Sequence, residues 1–216
     1  MGKSFWIILA VIVLSSVGLI FFVSSDDSNA PKTTYEALQI TDTDHVQGNA
    51  DASVVMVEYS DFQCPACSAL YPLTKQVTES FGDQIAFVYR HFPLVSIHPN
   101  SMAASRASEA AANQDKFWEM HDMLFERQNQ WASSSDTSSI FEAYASELGL
   151  DLDIYKVDVV SEETSKIITS SLSIGTSIGI NATPTYFING EQILVPQSVE
   201  EFRSAIQVAL DSASNQ

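Results

Sequence analysis

The sequence predicts an α/β sandwich interrupted by a helical insertion and preceded by one transmembrane helix. Three observations carry this reading. A strand–helix–strand order surrounds Cys64 and Cys67, a helical pattern runs from Ser101 to about Gly179, and a hairpin with a last amphipathic helix closes the chain. The 216 residues, 45% of them hydrophobic, suit one medium domain with an insertion and can fill a core. Acids outnumber bases 27 to 10, a formal charge of -17. Such a chain gains nothing from counterion release, which argues against nucleic acid as a partner. Only two cysteines are present, so a disulfide-stapled miniprotein is excluded.

After a short terminus (residues 1–4, read as cytoplasmic) comes an uncharged apolar run from Phe5 to Val23. At ~1.5 Å per residue it makes about 28 Å of helix, close to the ~30 Å hydrocarbon core of a bilayer. Lys3 precedes the run, and Asp26 and Asp27 follow it, so the positive-inside rule places everything after Val23 outside. A cleaved signal peptide is the alternative, with Ser28-Asn29-Ala30 as a late cleavage site. Either reading exports the domain. Residues 24–34 are polar, contain Pro31, and read as a linker.

Val54 to Val57 is a short β-rich run, too short for a helix, and predicts a buried strand. Ile85 to Phe92 predicts a second strand, with a helix between them from Pro65 to about Ser80. In the helical block, Ala103, Ala104, Ala107, Ala110 and Ala111 form a small-residue stripe. Phe117, Met120 and Leu124, widened by Trp118 and Phe125, form an apolar face. Asn129 to Ser139 reads as an exposed Ser-rich loop carrying Trp131. Helices follow at Ile140–Leu148 and about Glu162–Ile178. Thr185–Ile188 predicts a strand, Asn189-Gly190 a hairpin turn, and Gln192–Val195 the return. Val199, Phe202, Ile206 and Leu210 mark one side of the final helix, and residues 213–216 read as a frayed tail.

Chemistry centres on Cys64-Pro65-Ala66-Cys67, at the junction of a predicted strand and helix. Pro65 suits the first helical position, where a missing N–H costs nothing. Free N–H groups and the helix dipole stabilise a thiolate on the first sulfur, lowering a pKa of ~8.5 into the range of roughly 3.5–7.5. Cys64 is thus expected to be the exposed attacking sulfur and Cys67 the partly buried resolving one. A structural disulfide closing so small a loop stabilises little. Zinc needs about four ligands, and only His91 and His98 lie near in sequence. No metal is therefore expected. His45, His91, His98 and His121 read as ordinary surface or core histidines. The acids Glu162-Glu163 and Asp151-Leu152-Asp153 read as capping or solvated, a calcium site among them being the alternative.

Glu58-Tyr59-Ser60-Asp61-Phe62-Gln63-Cys64-Pro65-Ala66-Cys67, with Ala182-Thr183-Pro184-Thr185-Tyr186-Phe187-Ile188-Asn189-Gly190 downstream, resembles the thioredoxin superfamily. Within it, the chain is most similar to exported DsbA-like thiol-disulfide oxidoreductases, over residues 35–212 with a helical insertion at about 96–178. The resemblance implies a thioredoxin-like fold, and a cis proline at Pro184 that faces the cysteines. Thr183 and Pro184 would then bind extended substrate backbone beside Cys64. It also implies a buried acid at Glu58 able to relay the proton of Cys67, and a kink at Pro72. The dipeptide Pro65-Ala66 departs from the strongest oxidants by lacking histidine. Glu58 and Asp61 place negative charge nearby, which should raise the pKa of Cys64.

The expected function is an extracytoplasmic disulfide oxidase acting on exported polypeptides through the redox-active Cys64–Cys67 disulfide, with no other cofactor. Reoxidation by a membrane quinone reductase of the DsbB or vitamin K epoxide reductase type follows from the resemblance. The alternatives are a reductase or isomerase with the same site, or a tethered peptide-binding module in which the cysteines are incidental.

Overall fold

Strand β2 (Val55–Ser60) runs through the middle of a five-stranded sheet and decides where everything else sits. The computed structural model describes residues 37–215. The expected terminus, membrane anchor and linker (residues 1–34) lie outside them. Among the described residues, no helix is long and apolar enough to cross a membrane.

The sheet order is β1 (His45–Gly48), β3 (Ala86–His91), β2, β4 (Thr185–Ile188), β5 (Glu191–Ile193). β2 pairs parallel with β3 and antiparallel with β4, setting Glu58 opposite both Tyr89 and Tyr186. Both faces of β2 are covered, which is why Val54 to Val57 reads as a continuous apolar run. On one face Met56, Phe87, Tyr186 and Ile188 pack with Val77 and Phe81 of α1 (Pro65–Phe81), and with Phe202 and Ile206 of α8 (Val199–Ser214). On the other, Val57, Tyr59, Val88 and Phe187 pack beneath Leu172 of α7 (Glu162–Ser177). That helix lies close: a Cβ on Gly175 would stand 2.9 Å from both Phe92 and Tyr59. At the β4–β5 turn, Asn189 (φ 49°) and Gly190 (φ 86°) adopt the left-handed pair a tight hairpin needs.

The block between β3 and β4 contains α2 (Ser101–Ala112), α3 (Phe117–Glu126), α4 (Gln128–Trp131), α5 (Thr137–Glu147), α6 (Leu152–Asp158) and α7. The alanine stripe does what its spacing suggests, with Ala104, Ala107, Ala110 and Ala111 fully covered. Phe117, Met120, Leu124 and Phe125 fill the same core as Phe62 and both cysteines.

Two expectations need correction. Trp131 is not on an exposed loop: it closes α4, is 0% exposed, and donates its indole N–H to Leu124 O at 2.9 Å. Serines around one tryptophan hide a buried anchor, because composition averages over the window. The edge strand β1 and the short helix α6 carry no strong period and were not foreseen. The return strand stops at Ile193, leaving Leu194 93% exposed. Asp151 caps α6, accepting from Asp153 N at 2.9 Å and Ile154 N at 3.2 Å, and Glu162 and Glu163 form the first turn of α7. These acids serve helix N-termini, where the macrodipole favours negative charge.

Arg90 of β3 is a buried cation held by a complete set of acceptors. Its Nε and one terminal nitrogen each donate to Asp44 at 2.7 Å, and carbonyls of Ala37 and Gln39 accept at 2.6 and 2.7 Å. Removing one member of such a pair strands a charge in the interior. Asp44→Ala should therefore lower stability by about 3–5 kcal/mol in urea unfolding, and Asp44→Asn by less, since its amide oxygen still accepts. Equal losses would show that the charge is not what matters.

Candidate active site

The turn after β2 is built from Asp61. Its backbone oxygen accepts from Cys64 N at 3.0 Å, and its side chain accepts from Gln63 N at 2.8 Å and Leu94 N at 2.9 Å. His98 Nδ1 lies 2.7 Å from the same carboxylate. Cys64 is the N-cap of α1 in extended geometry, with Pro65 as the first helical residue. The free N–H groups of that first turn surround its sulfur.

The helical block braces this turn from outside. Gln128 Nε2 donates to Phe62 O at 2.7 Å and Cys64 O at 3.1 Å. Gln63 donates to Ala132 O at 2.7 Å and accepts from Asn100 N at 2.6 Å, while the Asn100 amide reaches the carbonyls of Trp131, Ala132 and Ser134. Opposite the cysteines, the Thr183–Pro184 peptide bond is cis and Pro184 is buried. Thr183 O accepts from Cys64 Sγ at 3.5 Å. The residues singled out in the sequence, 119 positions apart, thus meet at one sulfur.

Both cysteines are free thiols and both are covered, Cys64 at 6% exposure and Cys67 at 1%. Cys64 is not the exposed sulfur expected, because the Thr183–Pro184 loop and the helical block lie against it. It remains the more accessible of the two. Its pKa is lowered to about 5. The Cys67 thiol is the foremost donor, opposing burial, and the Thr183 hydroxyl and the N–H groups of Cys67 and Ala66 add to it. Thr183 Oγ1 is buried and has no hydrogen-bond partner, which leaves it free to donate to the ionised sulfur. The expectation that Glu58 and Asp61 would raise this pKa is overturned. Asp61 is hydrogen-bonded into the turn and to His98, Glu58 is largely protonated below neutrality, and the donors around Cys64 outweigh both.

Cys67 behaves oppositely: burial, the bond to Cys64, and the nearby charges of Cys64 and Glu58 push its pKa well up. Glu58, 5% exposed, is raised to about 7 by burial, against the hydroxyls of Ser60 and Tyr186. One thiolate, one thiol and one carboxyl poised near neutrality therefore share a single interior site. The alternation of β2 turns Glu58 and Ser60 to the face that α1 covers, where Glu58 shares a small cavity with Thr74 and Lys75. Sequence reasoning missed Ser60, Tyr186, Gln63, Asn100, Gln128 and His98. Only the proximity of Ser60 and Gln63 to the cysteines offered a signal. The histidines are not scattered: His98 holds Asp61, and His45 and His91 meet at Glu109.

A sequence model of the family described as Thioredoxin matches residues 40–208. The Na(+)/H(+) antiporter NhaA 1 of Mycolicibacterium vanbaalenii is 42% identical over 154 residues, covering 69% of this chain and 24% of the antiporter. NhaA 3 of Salinispora tropica is 34% identical over 172 residues, covering 80% and 26%. The chain spans about a quarter of the length of these curated relatives. Among solved structures, α-DsbA1 of Wolbachia pipientis superposes with a TM-score of 0.74 at 20% identity, over 85% of this chain and 98% of that one. BdbD of Bacillus subtilis superposes with a TM-score of 0.69 at 24% identity, over 78% and 94%. These structures share the fold.

Two measurements follow from the site. Alkylation of the reduced protein by iodoacetamide should titrate with a midpoint near 5, and Thr183→Ala should move that midpoint upward by removing a donor. A midpoint near that of an ordinary thiol, ~8.5, would refute the arrangement. For Glu58, raised from 4.5 to about 7, the folded chain binds more protons than the unfolded one across that window, so stability falls as pH rises through it. Glu58→Gln removes the loss, and its advantage over wild type should grow from pH 4 to pH 8 by roughly 2–3 kcal/mol. A gap independent of pH would mean that Glu58 is not titrating there.

Proposed function

The chain belongs to the thioredoxin family and carries the fold of DsbA-type thiol-disulfide oxidoreductases, and on that premise we propose that it is an extracytoplasmic dithiol oxidase for exported polypeptides. The observation that carries the direction of flow is the stabilised Cys64 thiolate. A more stable reduced form makes the disulfide a stronger oxidant.

The cycle begins with the Cys64–Cys67 disulfide. A substrate thiolate attacks Cys64 Sγ, the intramolecular S–S bond breaks, and the electron pair leaves on Cys67. That sulfur is buried and strongly favours its proton, and Glu58 is placed to supply it, with a pKa of about 7 suited to giving and regaining a proton. A second substrate thiolate then attacks the substrate sulfur of the mixed disulfide. Cys64 departs as a thiolate, a good leaving group at its low pKa. The substrate is oxidised by two electrons and the Cys64–Cys67 pair is reduced by two. Thr183 and Pro184 line the approach to Cys64 and are the residues we assign to extended substrate backbone.

The proposed anchor at residues 5–23 would keep the domain near a membrane quinone reductase of the DsbB or vitamin K epoxide reductase type, raising the effective concentration of the pair. One observation favours a second reading, a reductase or isomerase: Pro65 and Ala66 bring no side-chain donor between the cysteines. The likeness to the antiporters covers about a quarter of their length.

Equilibration with glutathione buffers separates the readings, with Cys64→Ser as control. The oxidase requires a potential near or above about -180 mV, and a value near about -270 mV, on the thioredoxin side of the scale, gives the chain to the reductase.

A further inference from the structure

Away from the cysteines, three side chains from three elements converge on one point. His45 of β1 and His91 of β3 both direct Nε2 at Glu109 Oε1 of α2, at 2.8 and 2.7 Å. The three donor atoms lie within 4.8 Å of one another. Glu109 is 2% exposed, and among the described residues its ion-pair partners are these two imidazoles alone. The one buried Arg or Lys among the described residues, Arg90, is committed to Asp44. Both rings are held: His45 stacks on Phe117 with centroids 3.5 Å apart, and His91 lies edge-on to Tyr89. A cavity of about 30 Å³ opens beside the cluster, lined also by Thr41, Asp44 and Ser171.

We propose that His45, His91 and Glu109 form a binding site for a divalent transition-metal ion of the zinc type, with the cavity holding a water as fourth ligand. Two imidazole nitrogens and one carboxylate oxygen are a zinc ligand set, whereas calcium and magnesium take oxygen. Buried charges in proteins are paired or coordinate metals, and a cation held by all three side chains would neutralise Glu109 directly. Tetrahedral bonds of about 2.0–2.1 Å set donor atoms roughly 3.3 Å apart. The nitrogen-to-oxygen separations must therefore open by about half an ångström, and the two nitrogens, within 4.8 Å of each other, must close toward the same spacing as the ion replaces the shared protons. One water needs roughly 10–15 Å³ of such space, so the cavity is large enough. The ion would fasten edge strand β1 to its neighbour β3 and to the first helix of the insertion. This site is independent of the proposed redox function.

The test uses the full chain with Cys64 and Cys67 oxidised to the disulfide, so that no thiol competes for metal. Zinc titrated by calorimetry should bind at one equivalent and raise Tm, and cobalt should give the visible bands of a tetrahedral site. His45 sits at the rim with its side chain 18% exposed, so His45→Gln should fold. It and Glu109→Gln should each weaken zinc binding by at least about tenfold. Circular dichroism of the metal-free variants checks that the fold is kept. Absence of stoichiometric binding, or binding that His45→Gln leaves unchanged, would overturn the site and leave a hydrogen-bonded His–Glu–His clamp.

Discussion

A sulfur anion kept inside a protein is the constraint on which this molecule turns. Water would hold such a charge without help; at 6% exposure Cys64 must be supplied with donors by the chain itself. They come from two places far apart in sequence: the first turn of α1, including the Cys67 thiol, and Thr183 beside the cis proline. The second source is available only when β2 and β4 pair, because that pairing brings residue 183 over residue 64.

The same burial acts differently on each group it covers, and that difference is the chemistry. Where donors converge, at Cys64, the charged form wins. Where burial outweighs the donors, at Cys67 and Glu58, desolvation favours the protonated form. Holding these states side by side demands a rigid turn. The helical block supplies it: Gln128 holds the carbonyls of Phe62 and Cys64, while Asn100 N and the Ala132 carbonyl hold the Gln63 side chain. The insertion is thus part of the site's framework as well as a covering layer.

Elsewhere the interior manages its other charges by pairing them. Arg90 and Asp44 form a nearly enclosed pair against β1, and Glu109 is gripped between histidines of β1 and β3. Both clusters bear on the edge strand, the element with the weakest sequence signal. Polar contacts substitute there for the apolar periodicity that positions the inner strands.

Most of the skeleton was legible. Apolar runs and their periods marked β2, β3, β4, α1, the alanine-lined α2 and the final helix, since these elements are defined by which faces meet the core. The C-x-x-C spacing at a strand–helix junction marked the reacting sulfurs, because the first turn of any helix offers free N–H groups. Local sequence does not encode what lies across a cavity. Trp131 sits among serines yet is buried, His45 and His91 lie far apart in sequence yet meet at Glu109, and Asp61, three residues before Cys64, accepts from Leu94 and pairs with His98. Near neighbours in sequence determine helices, strands and turns. Solvation, and with it which group carries a charge, depends on atoms that only the folded chain brings within a few ångströms.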